Sequence, residues 1–361
     1  MLQGKKIVLI SSQFPPSLDG VGDYTWHLGK ELEKEHRVYY FNLPKLNLTH
    51  WNFKNWLNVY QAIKAVQPDL ISLQYVPFGF HHKGLPFSLI VFWTLLKRKG
   101  YNLQITFHEI AIAYNAHSLR QSLASWLQKA IACMLCKLSD HVFTGTLVYK
   151  KMLLKYKRSI SFVAIGPNIL PHHDFIADKN ILTSFANRVT AELIRALAEL
   201  KKEGIKLTLY ALGKIDSDQK KLLLSLAKET GFDKQIFFYH NISNQEFAVH
   251  LNKGDIYLQL EHVASDGNGG VALKSGALAA AMAFRKAIIS TSGSGTDHEL
   301  LVHKKNIVFC QNHVPDIKDK IVELFQNDLY RENLKSESFR FHQTYSTWKI
   351  IANEYSKLIS T

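Results

Sequence analysis

Cysteine is scarce, and its placement argues against two chemistries at once. Cys133 and Cys136 lie three apart in an apolar helical stretch and Cys310 is far away, which leaves no spacing for a disulfide framework or a zinc site. Structural thiols are expected instead. Long hydrophobic runs are missing too. The longest near the middle, Leu85 to Leu96, has about a dozen residues before Lys97, Arg98 and Lys99, too few to cross a bilayer but suited to lying on one. The amino terminus carries Lys5 and Lys6 ahead of about five apolar residues and then Pro15 and Pro16, which reads as a first strand and not a signal peptide. A cytoplasmic protein, in peripheral contact with the inner face of an anionic membrane, is therefore expected.

Negative charge is short as well. The chain has 30 acidic residues against 44 lysines and arginines, a net charge of +14, which calls for an anionic partner such as nucleic acid, lipid headgroups or a phosphorylated substrate. Its basic clusters, at 97–99, 150–158 and 201–202, lack the interleaved aromatics of a base-stacking platform, so nucleic acid is not the expected partner. Several catalytic signatures are absent: no glycine spacing carries a Walker lysine, and no serine-hydrolase elbow occurs. The histidine pairs His81-His82 and His172-His173 are adjacent, and neighbouring side chains diverge on a strand or helix, so no metal site is expected.

What is present points to an α/β fold. At 361 residues, two domains of about 150 to 180 residues are the natural division. Buried-strand patterns at 6–11, 37–41, 69–74, 103–107, 141–144 and 160–164 alternate with helical stretches, among them Tyr24 to Glu35. The second half repeats the alternation, with strands at 206–211, 236–239, 255–260 and 287–290. Such alternation gives two doubly wound parallel sheets, with ligands beyond the carboxyl ends of the strands and a cleft between the domains. The loops from Gln13 to Gly22, at His108 and Glu109, and from Glu261 to Gly270 fall at those ends.

The most informative segment runs from Ser265 to Ala283. A glycine-rich loop with one acid, Asp266, leads through Lys274, Ser275 and Gly276 into an alanine-rich helix. Small residues admit a ligand to the backbone, and the unpaired first amides of a helix favour an anion.

The loop from Phe14 to Tyr24 resembles the amino-terminal signature of the retaining family-4 nucleotide-sugar glycosyltransferases, which have the two-Rossmann GT-B fold. Thr106 to Glu109 is similar to that family's active-site strand end, and Ala164 to Asn168 to its interdomain segment. Ile242 to Glu246 with Leu251 to Asp255 resembles the turn and helix before its donor loop, and Tyr345 to Tyr355 its last helix. The likeness spans nearly the whole chain. It implies an acceptor-side domain over 1–165, a donor-nucleotide domain over 166–340, and a helix over 341–361 that crosses back onto the first domain. It also implies a metal-independent hexosyltransferase without a cofactor, whose nucleotide-sugar donor is a substrate and whose acceptor is a glycan or lipid-linked glycan of surface polysaccharide or glycoconjugate synthesis. In that reading His108 and Asp266 are catalytic. Gly20, Val21, Gly22, Arg188, Lys274, Ser275 and Gly276 hold the donor, and Asp19, Asp23, Tyr24 and Glu109 line the acceptor side or the cleft.

The chain departs from the family in two places. The usual pair of donor-loop glutamates is absent, as in a subgroup where an Asp-Gly step followed by a basic residue replaces it; Asp266 then takes sugar hydroxyls, and Lys274 with Ser275 takes phosphate. The usual arginine and following lysine after the first strand of the second domain are reduced to Arg188. These losses keep a second expectation open, a non-catalytic GT-B binding or scaffold protein. A sugar-nucleotide epimerase on the same architecture is a third.

Overall fold

The computed structural model describes residues 4–17, 19–46, 48, 51–112, 118–171 and 177–359. The chain divides into two compact units, one formed by Met1–Gly166 with Tyr345–Thr361 and the other by Pro167–Thr344. His172 and His173 lie outside the described residues.

In the first unit, six strands, β1 (Lys6–Ile10), β2 (Arg37–Phe41), β3 (Leu70–Tyr75), β4 (Leu103–Phe107), β5 (His141–Thr144) and β6 (Ser161–Phe162), form one parallel sheet in the order β2-β1-β3-β4-β5-β6. Helices α1 (Gly20–Leu32), α2 (Phe53–Val66), α3 (Pro77–Phe80), α4 (Phe87–Arg98), α5 (Leu119–Leu138) and α6 (Leu147–Leu153) alternate with them. Every residue of β3 and β4 is buried, as expected for inner strands covered on both faces. The chain order reverses at β1, which sits between β2 and β3, and places a topological switch point there.

Two sequence expectations change. The first helix begins at Gly20 and not near Tyr24, because Asp19 caps it by accepting from the Val21 amide; Gly20 and Gly22 are thus helical residues and not loop. The strand expected over 160–164 shortens to the two-residue edge strand β6. The last helix, α13 (Trp348–Ser356), packs on α1. Its Trp348 ring stacks on His27 at 5.2 Å and sits the same distance from Tyr24. A Cβ on Gly166 would come within 2.8 Å of that indole, so the glycine makes room for it.

The second unit repeats the plan with β7 (Asp178–Phe185), β8 (Thr208–Leu212), β9 (Ile236–Tyr239), β10 (Gly254–Gln259), β11 (Ala287–Thr291) and β12 (Val308–Cys310) in the order β12-β11-β10-β7-β8-β9, all parallel. Its helices are α7 (Ala191–Lys202), α8 (Ser217–Glu229), α9 (Asn244–Lys253), α10 (Gly276–Ala283), α11 (Val314–Gln326) and α12 (Asp328–Phe341). The switch point lies between β7 and β10. Ala279, Ala280, Ala281 and Ala283 of α10 are buried, and their small side chains let the helix pack closely on its neighbours. At the opposite end of β10, buried Asp255 accepts from Arg331 Nε at 3.0 Å and Lys335 Nζ at 2.6 Å, tying α12 to the sheet. Cys136 and Cys310 are buried; burial pushes their thiols up to about 11 and about 12, so neither is an available thiolate near neutrality.

Candidate active site

The first unit gathers the expected residues at the carboxyl ends of β1 and β4. After β1, Ser12 Oγ donates to Asp19 Oδ2 at 3.2 Å, so Asp19 both caps α1 and holds the preceding loop. Asp23, in the first turn, keeps its proton to a higher pH than an ordinary aspartate, chiefly through burial and secondarily through the charge of Asp19.

The two glycines of this turn have different physical roles. A Cβ on Gly22 would stand 2.7 Å from the Gln13 carbonyl oxygen, whereas one on Gly20 would meet nothing within 4 Å. Packing demands Gly22 and does not demand Gly20. Gly22→Ala is expected to cost roughly 1–3 kcal/mol in urea unfolding, while Gly20→Ala leaves the unfolding midpoint unchanged or slightly higher. A loss at Gly20 equal to that at Gly22 would contradict this division.

His108 follows β4 and is 7% exposed. Its Nε2 lies 2.9 Å from Gln74 Oε1, and its ring meets Tyr24 edge-on at 4.8 Å. Gln74 in turn donates to Ser72 Oγ at 2.8 Å and to the Tyr355 hydroxyl at 3.4 Å, and that hydroxyl shares a 2.5 Å hydrogen bond with Thr106. Burial holds Tyr24 and Tyr355 above the usual tyrosine range, so both remain neutral donors. The imidazole is thereby oriented by β3, β4 and α13 together. Glu109 is exposed beside it.

In the second unit the site forms at the switch point. Arg188 ends a short 3₁₀ turn after β7, and its Nε pairs with Glu261 Oε1 at 3.0 Å just beyond β10. Buried Gln259 donates to both Glu261 Oε1 and Ser275 Oγ at 2.9 Å. Ser275 caps α10 by accepting from the Leu278 amide at 3.2 Å, and Lys274 precedes it in the turn. Arg188, Glu261, Gln259 and Ser275 therefore form one continuous polar chain. A Cβ on Gly276 would make only ordinary contact with Asn168, at 3.7 Å, so packing does not demand this glycine.

Asp266 sits apart from this chain, at an exposed loop tip. Its carboxylate accepts from the Asn268 amide at 3.0 Å and from Asn268 Nδ2 at 2.6 Å, and Asn268 Oδ1 accepts from Ser294. The glycines of the loop also differ from expectation. Gly269 and Gly270 have φ of +115° and +82°, and a Cβ on either would fall within 2.3 Å of backbone, at His262 O and Gly293 N respectively. They let this loop pack against the His262 carbonyl and cross the segment from Ser292 to Gly295.

Sequence reasoning passed over Glu261 and Gln259. An acid directly after a fully buried strand was the available signal, but only the pairing of β10 with β7 brings it to Arg188. His81 and His82 are corrected too: their rings do not diverge but lie 4.6 Å apart, and His81 Nδ1 accepts from the Lys83 and Leu85 amides to close a turn. Among the described residues, no cluster of three or more histidine, cysteine or acidic side chains is placed to hold a metal ion.

Two six-stranded parallel sheets, each wound by helices on both faces, match the GT-B fold. A glycosyltransferase from Rickettsia africae superposes with a TM-score of 0.69 at 14% identity, covering 99% of this chain and 98% of that one. Anabaena HepE in complex with UDP and glucose superposes with a TM-score of 0.67 at 13% identity over 99% of both chains. In sequence, an uncharacterized glycosyltransferase of Methanocaldococcus jannaschii is 20% identical, covering 98% of this chain and 97% of its own. Residues 177–341 match the family model described as glycosyl transferases group 1. The resemblance to that family is thus carried in sequence by the second unit, and the fold is carried by the structural neighbours.

Proposed function

We propose that the protein is a retaining, metal-independent hexosyltransferase that moves a sugar from a nucleotide donor to a glycan or lipid-linked glycan acceptor in surface polysaccharide or glycoconjugate synthesis in the cytoplasm. The observation that carries the donor assignment is the joining of Arg188 to the Ser275-capped start of α10 through Glu261 and Gln259 at the β7/β10 switch point. A guanidinium and a helix N-terminus are complementary to a diphosphate, and Lys274 adds a second cation there. The UDP and glucose held by the Anabaena relative support a nucleotide-sugar donor.

The leaving diphosphate gains charge as the glycosidic bond breaks, and the Arg188 and α10 groups stabilise that charge. In front-face transfer the departing phosphate oxygen takes the acceptor proton, so no dedicated protein base is needed. His108, held by Gln74, faces the reacting sugar; Asp19, Asp23, Tyr24 and Glu109 belong to the acceptor side, and Asp266 to the sugar hydroxyls. A panel of nucleotide sugars in thermal-shift measurements, followed by assay of nucleotide release with acceptor, tests the reading. One donor raises the melting temperature, and Lys274→Ala abolishes most of that shift; no donor binding at all would sink the proposal.

Two observations favour a second reading, a binding protein without turnover: Glu261 occupies Arg188, and Asn268 occupies Asp266. That protein would show a donor-induced shift but release no nucleotide with any acceptor.

A further inference from the structure

We propose that the solvent face of α5 is a docking surface for an anionic phospholipid bilayer. The helix is turned inside out over its first half. Leu119, Leu123 and Trp126 are 89%, 58% and 64% exposed, and Met134 continues the same stripe at 50%. The buried side of the same turns carries polar Ser125 and Gln128, which are used on the backbone of Ile112: Ser125 Oγ donates to its carbonyl and Gln128 Oε1 accepts from its amide, each at 2.8 Å. Farther along, Ile131, Leu135 and Cys136 supply the apolar core contact. The outward stripe is thus additional to the face that folding requires.

Charge says what covers it. Exposed Arg120 and Lys129 flank the stripe, and Lys137 lies at its far end. Residues 53 to 158 hold fourteen lysines and arginines against three acids, which accounts for eleven of the fourteen net positive charges of the chain. Of the three acids, Asp69 and Asp140 are paired with Lys5 and Lys97. The same stretch holds most of the exposed large apolar side chains, including Phe87 and Val91 on α4, which packs beside α5. A second copy of the chain seated on this face by two-fold symmetry would set the cations Arg120, Lys129 and Lys137 against an identical set of cations. An anionic bilayer instead accepts the leucines and tryptophan below its headgroups and the cations at them. The sequence reading placed membrane contact on Leu85 to Lys99, but α4 buries Leu89, Ile90, Phe92, Trp93 and Leu96, so the surface moves to α5.

The test needs no catalytic activity and so stands apart from the transfer reading. Flotation at low salt uses vesicles of phosphatidylglycerol with phosphatidylcholine, against phosphatidylcholine alone. The parent protein floats with the anionic vesicles only. The triple variant Leu119→Ser, Leu123→Ser, Trp126→Ser loses roughly tenfold or more in partitioning while its melting curve is unchanged, since these side chains face outward. Arg120→Glu with Lys129→Glu removes the preference for anionic vesicles. The proposal is overturned if the parent fails to float or if the triple variant floats as the parent does. A protein dimer in sedimentation velocity that the triple variant dissolves, with no vesicle binding, overturns it equally.

Discussion

Asp255→Ala is expected to destabilise the second unit by ~3 kcal/mol or more, because it strips a buried carboxylate from two buried cations. Arg331 and Asp255 are both nearly inaccessible, and Lys335 is only slightly more open. Arg331 keeps Leu324 O and Asp328, and Lys335 keeps Glu332, so the variant is weakened and not unfolded. Nearby Lys286, 1% exposed, donates to Asn252 O at 3.0 Å, and burial lowers its pKa to about 7 against the pull of Asp255. The folded chain thus releases this proton near 7 while the unfolded chain holds it to about 10.5. Between those limits the unfolded state binds more protons, so the Lys286 contribution to stability rises with pH and is smallest below 7. Urea unfolding of the parent and of Asp255→Ala across this interval checks both statements. An Asp255→Ala midpoint equal to the parent's would show that the cluster is not the anchor of α12.

Arg188→Ala should weaken nucleotide-sugar binding roughly ten- to hundredfold, the worth of one or two charge-assisted hydrogen bonds to phosphate. Arg188→Lys should recover only part of the loss, because an ammonium lacks the fork that can hold Glu261 and a phosphate oxygen together. Stability should change little, since the side chain is about one-third exposed and its ion pair with Glu261 is partly open to solvent. Calorimetric titration with the donor identified by thermal shift decides it: equal affinity in parent and Arg188→Ala would remove Arg188 from the donor site and with it the argument built on the switch point.

The strand series was legible in the sequence wherever strands are long and buried on both sides, as at β1, β3, β4 and β10, because continuous apolar runs have few other uses in a soluble domain. It faded at one edge of each sheet. β6 and β12 have two and three residues, and such short segments carry no periodicity to read. The capped start of α10 at Ser275 was legible for the same local reason, since a small polar residue before an apolar helix is a start signal. Glycines were the hardest to assign. Gly20 and Gly269 look alike in sequence, yet one faces open space and the other touches the His262 carbonyl, and only the fold separates them.

By itself the sequence determined the architecture, the order of its loops and the family they resemble, because hydrophobic period and turn chemistry act within a few residues. The tertiary structure alone decided which groups share a site. Strand order sets β10 beside β7, which carries Glu261 to Arg188 across 73 residues and leaves Asp266 at a loop tip with Asn268. It likewise places Tyr355 under Gln74 and His108, and turns Leu119, Leu123 and Trp126 outward. Contacts between distant segments depend on pairing and packing that no local pattern encodes.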